Sequence, residues 1–107
     1  MRRGNLVVVS LPGDYGKPRP ALILQSDAFS SLVSRTLLPL TTTEADSPLL
    51  RIPIDPSPGN GLERRSYIMV DKLYTMPASK IGKVCGSVDE STLIAVTRSL
   101  AAFLGFA

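Results

Sequence analysis

The residue best suited to chemistry in this chain is an arginine held between two prolines, in the segment Lys17-Pro18-Arg19-Pro20. Proline fixes its own φ angle and biases the preceding residue toward extended geometry, so both prolines restrict the backbone around Arg19. A guanidinium is a planar fork of donors that stays charged, which suits a phosphate or a carboxylate. The segment favours Arg19 as an anion-binding residue, with a turn cap or a surface ion pair as the alternative.

A second candidate cluster consists of the consecutive hydroxyls Thr41, Thr42 and Thr43, which follow an apolar run. Hydroxyls at the end of a strand can donate to phosphate oxygens. Threonine is also a favoured strand residue, so the alternative is that the cluster marks only a strand edge.

A third candidate is Asp71, which follows the apolar run Ile68-Met69-Val70. A carboxylate at the end of a buried strand can serve as a base with a shifted pKa. The alternatives are that Asp71 pairs with Lys72 or Arg65, or caps a turn. The neighbouring pair Arg64-Arg65 follows a flexible loop and reads either as a solvated face or as a phosphate contact.

Composition narrows the functions that these residues can serve. The 107 residues predict a single domain over 1–107, and the net charge of +3 is compatible with a nucleic-acid partner. The absence of His removes the usual acid–base residue, and the lone Cys85 excludes an internal disulfide. These counts leave few ligands for a transition metal, so we expect neither a metal nor another cofactor. No segment is long and apolar enough for a membrane span, and we expect a cytoplasmic protein.

Short apolar runs separated by turn residues predict many short strands. Pro39 would demote the third strand to a sheet edge or place a bulge there. A short turn of helix is expected within 26–34, and the strongest loop signal is 55–61. The predicted strands are Leu6–Val9, Ala21–Gln25, Thr36–Thr42, Leu49–Ile54, Ser66–Asp71 and Ile81–Val88, with Lys72–Thr75 continuing the fifth or beginning another.

The period of the apolar residues changes from Asp89 onward and predicts a terminal helix that stops at Gly105. Either Asp89 is its N-cap, or Ser87 and Glu90 form a capping box. The apolar end of this helix exceeds what packing on a small sheet needs, which a homodimer interface would explain. The predicted fold class is mainly β with a C-terminal α-helix, barrel-like or sandwich-like.

The order of these segments resembles the MazF/PemK family of bacterial toxins over nearly the whole chain. The family opens on an Arg-Gly start and an apolar strand, as in residues 3–9, and continues with an Arg-Pro-Ala strand, as in residues 19–27. A Pro-Leu-Thr strand follows at 39–41, then a strand ending in Val-Asp at 70–71, and then Lys-Ile-Gly at 80–82 before a helix. The Arg-Pro-Ala and Pro-Leu-Thr strands at this separation are the specific part of the pattern.

The resemblance implies an SH3-like small barrel, a homodimer, a cognate antitoxin protein as partner, and sequence-specific, metal-free cleavage of single-stranded RNA. The family's usual functional pair matches Arg19 and Thr41. Some members use an acid at the position of Asp71 as the base, assisted by an Arg two residues earlier, where this chain has Met69. The acid that often follows the first Gly of the family is Asn5 here.

The implied reaction agrees with the residues available. RNA carries its own nucleophile in the 2′-OH, so the protein must orient that oxygen and stabilise charge on the phosphoryl oxygens. Arg19 and Thr41 can do both, with Asp71 as the third catalytic candidate and products ending in 2′,3′-cyclic phosphate and 5′-hydroxyl. The residues expected to contact the RNA are Lys17, Thr42, Arg64, Arg65 and Lys72.

Two other functions compete with this interpretation. One is a DNA-gyrase poison of the CcdB kind, which shares the fold and acts by binding. The members of that family use a Trp near the C-terminus, whereas this chain has no Trp. The other is a catalytically inactive binding module of the same fold.

Overall fold

The computed structural model describes residues 1–106 and contains seven strands and one α-helix in that range. Short 3₁₀ turns occur at Asp27–Phe29, within the segment where a turn of helix is expected, and at Ala78–Lys80. The elements are β1 (Asn5–Val9), β2 (Arg19–Ile23), β3 (Ser34–Thr41), β4 (Arg51–Ile54), β5 (Ser66–Met69), β6 (Tyr74–Pro77), β7 (Val84–Ser87) and α1 (Glu90–Leu104).

The strands form one curled antiparallel sheet in the order β4-β5-β3-β2-β1-β7, with β6 also paired to β3. The sheet and the single C-terminal helix confirm the predicted fold class. The strand after the bend at Lys72 is a separate one, β6. The last strand is shorter than predicted, because its ladder with β1 extends only from Val84 to Ser87.

The sheet buries side chains on both faces, which explains the unbroken apolar run of β2. One cluster contains Leu22 and Leu38 and packs against Val96 of α1. The other contains Ala21 and Ile23 on the opposite face. A strand buried on both faces has no polar side to expose, so the alternation typical of a half-buried strand is absent.

The expectation that Pro39 places β3 at a sheet edge is wrong, because β3 is the central strand. Its first half pairs with β6 through Leu37, and its last residues pair with β5 from Leu40 onward. On its other side β3 pairs with β2, with Pro39 opposite Ala21. Pro39 therefore lies where β3 passes from one neighbour to the other, and a central strand tolerates the missing N–H at this break in the ladder.

Helix α1 begins and ends with two well-defined caps. The Asp89 carboxylate accepts a hydrogen bond from the backbone N–H of Thr92 at 2.9 Å, so Asp89 is the N-cap rather than Ser87. The hydrogen bonds from Thr92 and Ser91 hold the pKa of Asp89 below its usual value. Gly105 ends the helix with φ +84°, as predicted. No helix within residues 1–106 combines the length and apolarity needed to cross a membrane.

Candidate nucleic-acid groove

Five strands meet at one end of the sheet, and a groove of about 860 Å³ opens there. In an antiparallel sheet the end of one strand lies beside the start of its neighbour. Val9, the last residue of β1, pairs with Arg19, the first of β2. Thr41 at the end of β3 likewise pairs with Tyr67 near the start of β5. The polar residues that line the groove include Lys17, Arg19, Thr41, Thr42, Arg64 and Lys83.

The sheet register brings Arg19 and Thr41 together. Ala21 of β2 lies opposite Pro39 of β3, and the same antiparallel register continued by two residues sets Arg19 opposite Thr41. Opposed residues of such a pair share a face, with Cβ atoms about 4.5–5.5 Å apart. The two residues that the sequence singled out are therefore neighbours in the lining of the groove.

The guanidinium of Arg19 is held by two contacts. Its Nη2 donates to Oδ1 of Asp14 at 2.7 Å, and its Nη1 lies 3.4 Å from the carbonyl oxygen of Leu40. Leu40 directly precedes Thr41, so the second contact ties Arg19 to the end of β3. The side chain is 31% exposed, and a guanidinium has five donors, so donors remain for a ligand in the groove.

Asp14 lies in the loop between β1 and β2 and is largely buried, with 17% of its side chain exposed. Its Oδ1 accepts from Arg19, whereas its Oδ2 is buried without a hydrogen-bond partner within the described residues. Burying a carboxylate with one unsatisfied oxygen costs desolvation free energy, and the ion pair with Arg19 offsets part of that cost for Asp14. Asp14 is a positioning residue for the guanidinium.

The Thr41 hydroxyl already accepts one hydrogen bond from the backbone. Its Oγ1 accepts from the backbone N–H of Thr43 at 3.2 Å. A hydroxyl has one hydrogen to donate in addition to its lone pairs, and that hydrogen remains for a ligand oxygen. Thr42 is exposed beside it and also lines the groove.

The groove carries more positive than negative charge. Lys17, Arg64 and Lys83 are exposed at its margin, and in the described part of the chain none of them lies within ion-pair distance of a carboxylate. Glu63 is the acidic residue among the lining side chains. Cations without partners in a groove favour a polyanion.

Asp71 and Lys72 lie away from this groove. Strand β5 begins at the groove with Ser66 and runs toward the other end of the sheet, so Asp71 is four residues beyond Tyr67, the partner of Thr41. Strand β5 ends at Met69, so at the rise of a strand the separation is at most about 13 Å. The sequence-based candidate Asp71 is thus not brought together with Arg19 and Thr41.

Asp71 is instead part of an ion-paired cluster. Arg51 of β4 donates to its Oδ1, and the Nζ of Lys72 lies 3.2 Å from its Oδ2. Burial raises the pKa of Asp71, but the hydrogen bonds from Arg51 and Lys72 outweigh burial and hold the pKa below its usual value. A carboxylate in this state is a poor base.

Arg65 also points to partners of its own. Its Nη1 lies 2.7 Å from Oδ1 of Asp55, and its guanidinium carbon lies 5.7 Å from the ring centre of Tyr67. Arg64, one residue earlier, lines the groove, whereas Arg65 does not. The two adjacent arginines therefore have different surroundings.

Sequence reasoning missed two residues of this site. Asp14 gives a weak signal, as an acid in the glycine-containing loop before Arg19. Lys83 gives none, because its position depends on how the start of β7 pairs with β1. Cys85 is half-buried and also lines the groove.

Comparisons with known proteins agree with this architecture. A family model described as "PemK-like, MazF-like toxin of type II toxin-antitoxin system" matches residues 2–104. A protein of Mycolicibacterium smegmatis named "Probable endoribonuclease MazF" is 44% identical over 108 residues, covering 100% of this chain and 99% of the relative.

Two solved structures have closely similar folds. The Mycobacterium tuberculosis toxin MazF-mt6 gives a TM-score of 0.81 at 25% identity, covering 94% of this chain and 96% of that chain. An endoribonuclease from Mycobacterial species, in complex with its cognate antitoxin, gives a TM-score of 0.81 at 23% identity, covering 100% and 97%. The chain belongs to the family of PemK-like, MazF-like toxins of type II toxin–antitoxin systems.

Proposed function

We propose that this endoribonuclease toxin cleaves single-stranded RNA in the groove, with Arg19 and Thr41 as the catalytic residues and without a metal ion. The observation that carries the proposal is that Arg19 and Thr41 line one cationic groove, where the register continued from Ala21 and Pro39 sets the two residues opposite each other. The family membership and the name of the M. smegmatis relative support the reaction class.

The reaction needs little from the protein beyond positioning and charge. The 2′-oxygen attacks the adjacent phosphorus, its proton leaves, and the bond to the 5′-oxygen breaks as that oxygen gains a proton. The products are a 2′,3′-cyclic phosphate and a 5′-hydroxyl. The Arg19 guanidinium stabilises the charge that develops on the phosphoryl oxygens, and the Thr41 hydroxyl donates to one of them.

In this reaction the Asp14–Arg19 ion pair orients the guanidinium. The carboxylate fixes the guanidinium before the substrate arrives, so the donors of Arg19 need little reorganisation when charge develops. Fixed donors contribute more to the rate than mobile ones, because their side chains lose conformational entropy when the protein folds and not when the substrate reacts.

The groove suits a polyanionic strand because several cations lie together at one end of the sheet. Lys17, Thr42 and Arg64 line the groove and supply contacts for successive phosphates. Arg65 and Lys72, expected as RNA contacts from sequence, are committed to Asp55 and Asp71. We therefore assign the groove contacts to Lys17, Thr42 and Arg64.

The proposal is tested with an RNA that carries one 2′-deoxynucleotide immediately 5′ to the cut. The protein is expected to cut the all-ribose strand and to leave the substituted bond intact, since the nucleophile is missing. Cleavage of both strands at the same bond would contradict attack by the 2′-OH. Cleavage of neither strand would favour the inactive binding module.

The gyrase-poison alternative has less support. The M. smegmatis relative is named for endoribonuclease activity over its whole length, and the family model describes MazF-like toxins. No feature of the groove favours a protein target over RNA.

We further propose that an acidic segment of a cognate antitoxin binds over the same groove. A related fold has been solved with its antitoxin, and Lys17 and Arg19, which follow the loop 11–16, supply positive charge in the groove. Competition between single-stranded RNA and the C-terminal peptide of the antitoxin, at two salt concentrations, tests this. Mutual weakening that lessens with salt is expected. Simultaneous binding without mutual weakening would contradict a shared groove.

A further inference from the structure

The start of β7 presents three consecutive residues to the groove, namely Lys83, Val84 and Cys85. Successive residues of a regular strand point to opposite faces, so a regular strand would not line one groove in this way. The register explains the difference. Leu6 of β1 lies opposite Gly86, while Val7 lies opposite Val84, which leaves Cys85 as an extra residue.

This extra residue is a β-bulge, a feature that turns side chains toward a site and bends the strand. Hydrogen bonds to β1 hold the bulge on one side, with the N–H of Val8 donating to the carbonyl of Lys83 at 3.1 Å. On the other side the loop after β4 packs on β7, and the N–H of Ser87 donates to the carbonyl of Gly59 at 2.9 Å. These hydrogen bonds hold the segment Lys83–Cys85, which we call the β7 wall, between β1 and the loop after β4.

The chemistry of the β7 wall matches a nucleotide. Val84 is an apolar side chain that is 47% exposed at a groove that also contains cationic and hydroxyl side chains. Lys83 is exposed beside it and has no carboxylate within ion-pair distance in residues 1–106. An apolar surface suits the face of a base, and an adjacent unpaired ammonium suits that nucleotide's phosphate.

The wall is separate from the residues proposed for catalysis. Arg19 and Thr41 belong to β2 and β3, whereas the wall belongs to β7, with β1 between β7 and β2 in the sheet order. Because Arg19 and the β7 wall line the same groove, a strand of RNA that lies along the groove can contact both.

We propose that the β7 wall binds the nucleotide next to the cleaved bond, with Val84 against its base and Lys83 at its phosphate. The inference deepens the proposed function, since it takes the groove as the RNA site. Val84 would then contribute to the choice of base at one position beside the cut, and Lys83 would contribute affinity without base preference.

The first experiment measures binding of a short single-stranded 2′-O-methyl RNA, which lacks the nucleophile, by fluorescence anisotropy over a series of salt concentrations. Lys83→Gln is expected to weaken binding several-fold and to reduce the slope of log affinity against log salt by about 0.7, the value for one lost phosphate contact on a single strand. The matched control is Lys80→Gln, an exposed lysine that does not line the groove, and it should change neither quantity.

The second experiment sequences the cut ends produced from a random RNA pool. Val84→Thr keeps the branched shape and replaces a methyl by a hydroxyl, so the base preference at one position beside the cut is expected to weaken. Val33→Thr is the control, at a valine that is 86% exposed and outside the groove. Melting curves show whether each variant remains folded.

The outcomes separate the wall from the cleavage reaction. If the protein cuts RNA but Lys83→Gln and Val84→Thr both behave like their controls, the β7 wall does not bind a nucleotide, and the proposed function stands. If Lys83→Gln alters binding of the 2′-O-methyl strand while no RNA is cut, the wall stands and the proposed function fails.

Discussion

At the residue scale, the contacts of Arg19 make its substitution informative. Arg19→Ala removes the guanidinium that we propose binds the phosphate and should lower the cleavage rate by on the order of a hundredfold or more, about 3 kcal/mol of transition-state stabilisation. Arg19→Lys should recover little, because an ammonium does not reproduce the fork held by Asp14 and Leu40. Single-turnover cleavage of one RNA substrate measures both effects.

Thr41→Ala belongs to the same series and should reduce the rate less, since it removes one neutral donor. Circular dichroism and melting curves provide the control for folding. A cleavage rate of Arg19→Ala close to that of the unchanged protein would show that the guanidinium is not part of the reaction.

Asp71 provides the contrasting case. Asp71→Asn should leave the cleavage rate nearly unchanged, because the side chain lies beyond the groove and pairs with Arg51 and Lys72. The free energy of unfolding should fall by about 1–3 kcal/mol at pH 7, since largely buried Arg51 loses its charged partner. Denaturant unfolding and a cleavage assay on the same variant measure the two quantities, and a large loss of rate with unchanged stability would restore Asp71 as a catalyst.

The pH dependence of the Asp71 contribution has a definite sign. The folded state lowers the pKa of this carboxyl, so its stabilisation is fully present above the unfolded pKa and is lost as pH falls through the folded pKa. The difference in unfolding free energy between the unchanged protein and Asp71→Asn should therefore be constant near neutrality and shrink below about pH 4.

Sequence patterns singled out the two residues proposed for catalysis but not the residues that hold them in place. Arg19 and Thr41 stand out because prolines and an apolar run fix their local geometry. Asp14 and Lys83 depend on loop closure and on a bulge, which no local pattern encodes. The sequence places Asp71 just after an apolar strand, but it does not show at which end of the sheet that strand finishes. Only the antiparallel pairing of β5 with β3 shows that Asp71 lies away from the groove.

At the element scale, the groove depends on how the loop after β4 packs on β7. Gly61 has φ +69°, and a Cβ there would lie 2.5 Å from the carbonyl oxygen of Cys85. Gly61→Ala should therefore lower the free energy of unfolding by about 2–4 kcal/mol, from backbone strain and displacement of the loop together.

Gly13→Ala is the matched control for this prediction. Gly13 has φ +89°, and a Cβ there would meet no atom within 4 Å, so this variant isolates backbone strain, about 1 kcal/mol. Denaturant unfolding of both variants separates the two effects. Equal losses would mean that the contact of the loop with β7 does not contribute to stability.

The elements themselves were largely predictable, for identifiable reasons. The apolar runs of β1 and β2 and the change of period at α1 are local signals, and each corresponds to an element. The position of β3 was not predictable, because Pro39 is disfavoured in a central strand unless the neighbouring strand changes there. The bulge at Cys85 likewise appears only when β7 is paired with β1.

At the scale of the whole molecule, the exposed apolar side chains near the C-terminus favour a homodimer. Ile94, Phe103 and Leu104 of α1 and Phe106 after it are between 42% and 82% exposed. We expect a dimer at micromolar concentration by sedimentation velocity, weakened by Phe103→Asp and unchanged by Leu49→Asp, which alters an exposed leucine elsewhere. A stable monomer at that concentration would contradict the prediction.

We propose that the groove cleaves RNA through the substrate's own 2′-OH without a metal ion. The most direct measurement is the chemical nature of the product ends after cleavage of a single-stranded RNA in excess EDTA. We expect undiminished cleavage and fragments ending in 2′,3′-cyclic phosphate and 5′-hydroxyl. Loss of cleavage in EDTA, or fragments that carry 5′-phosphate, would contradict it.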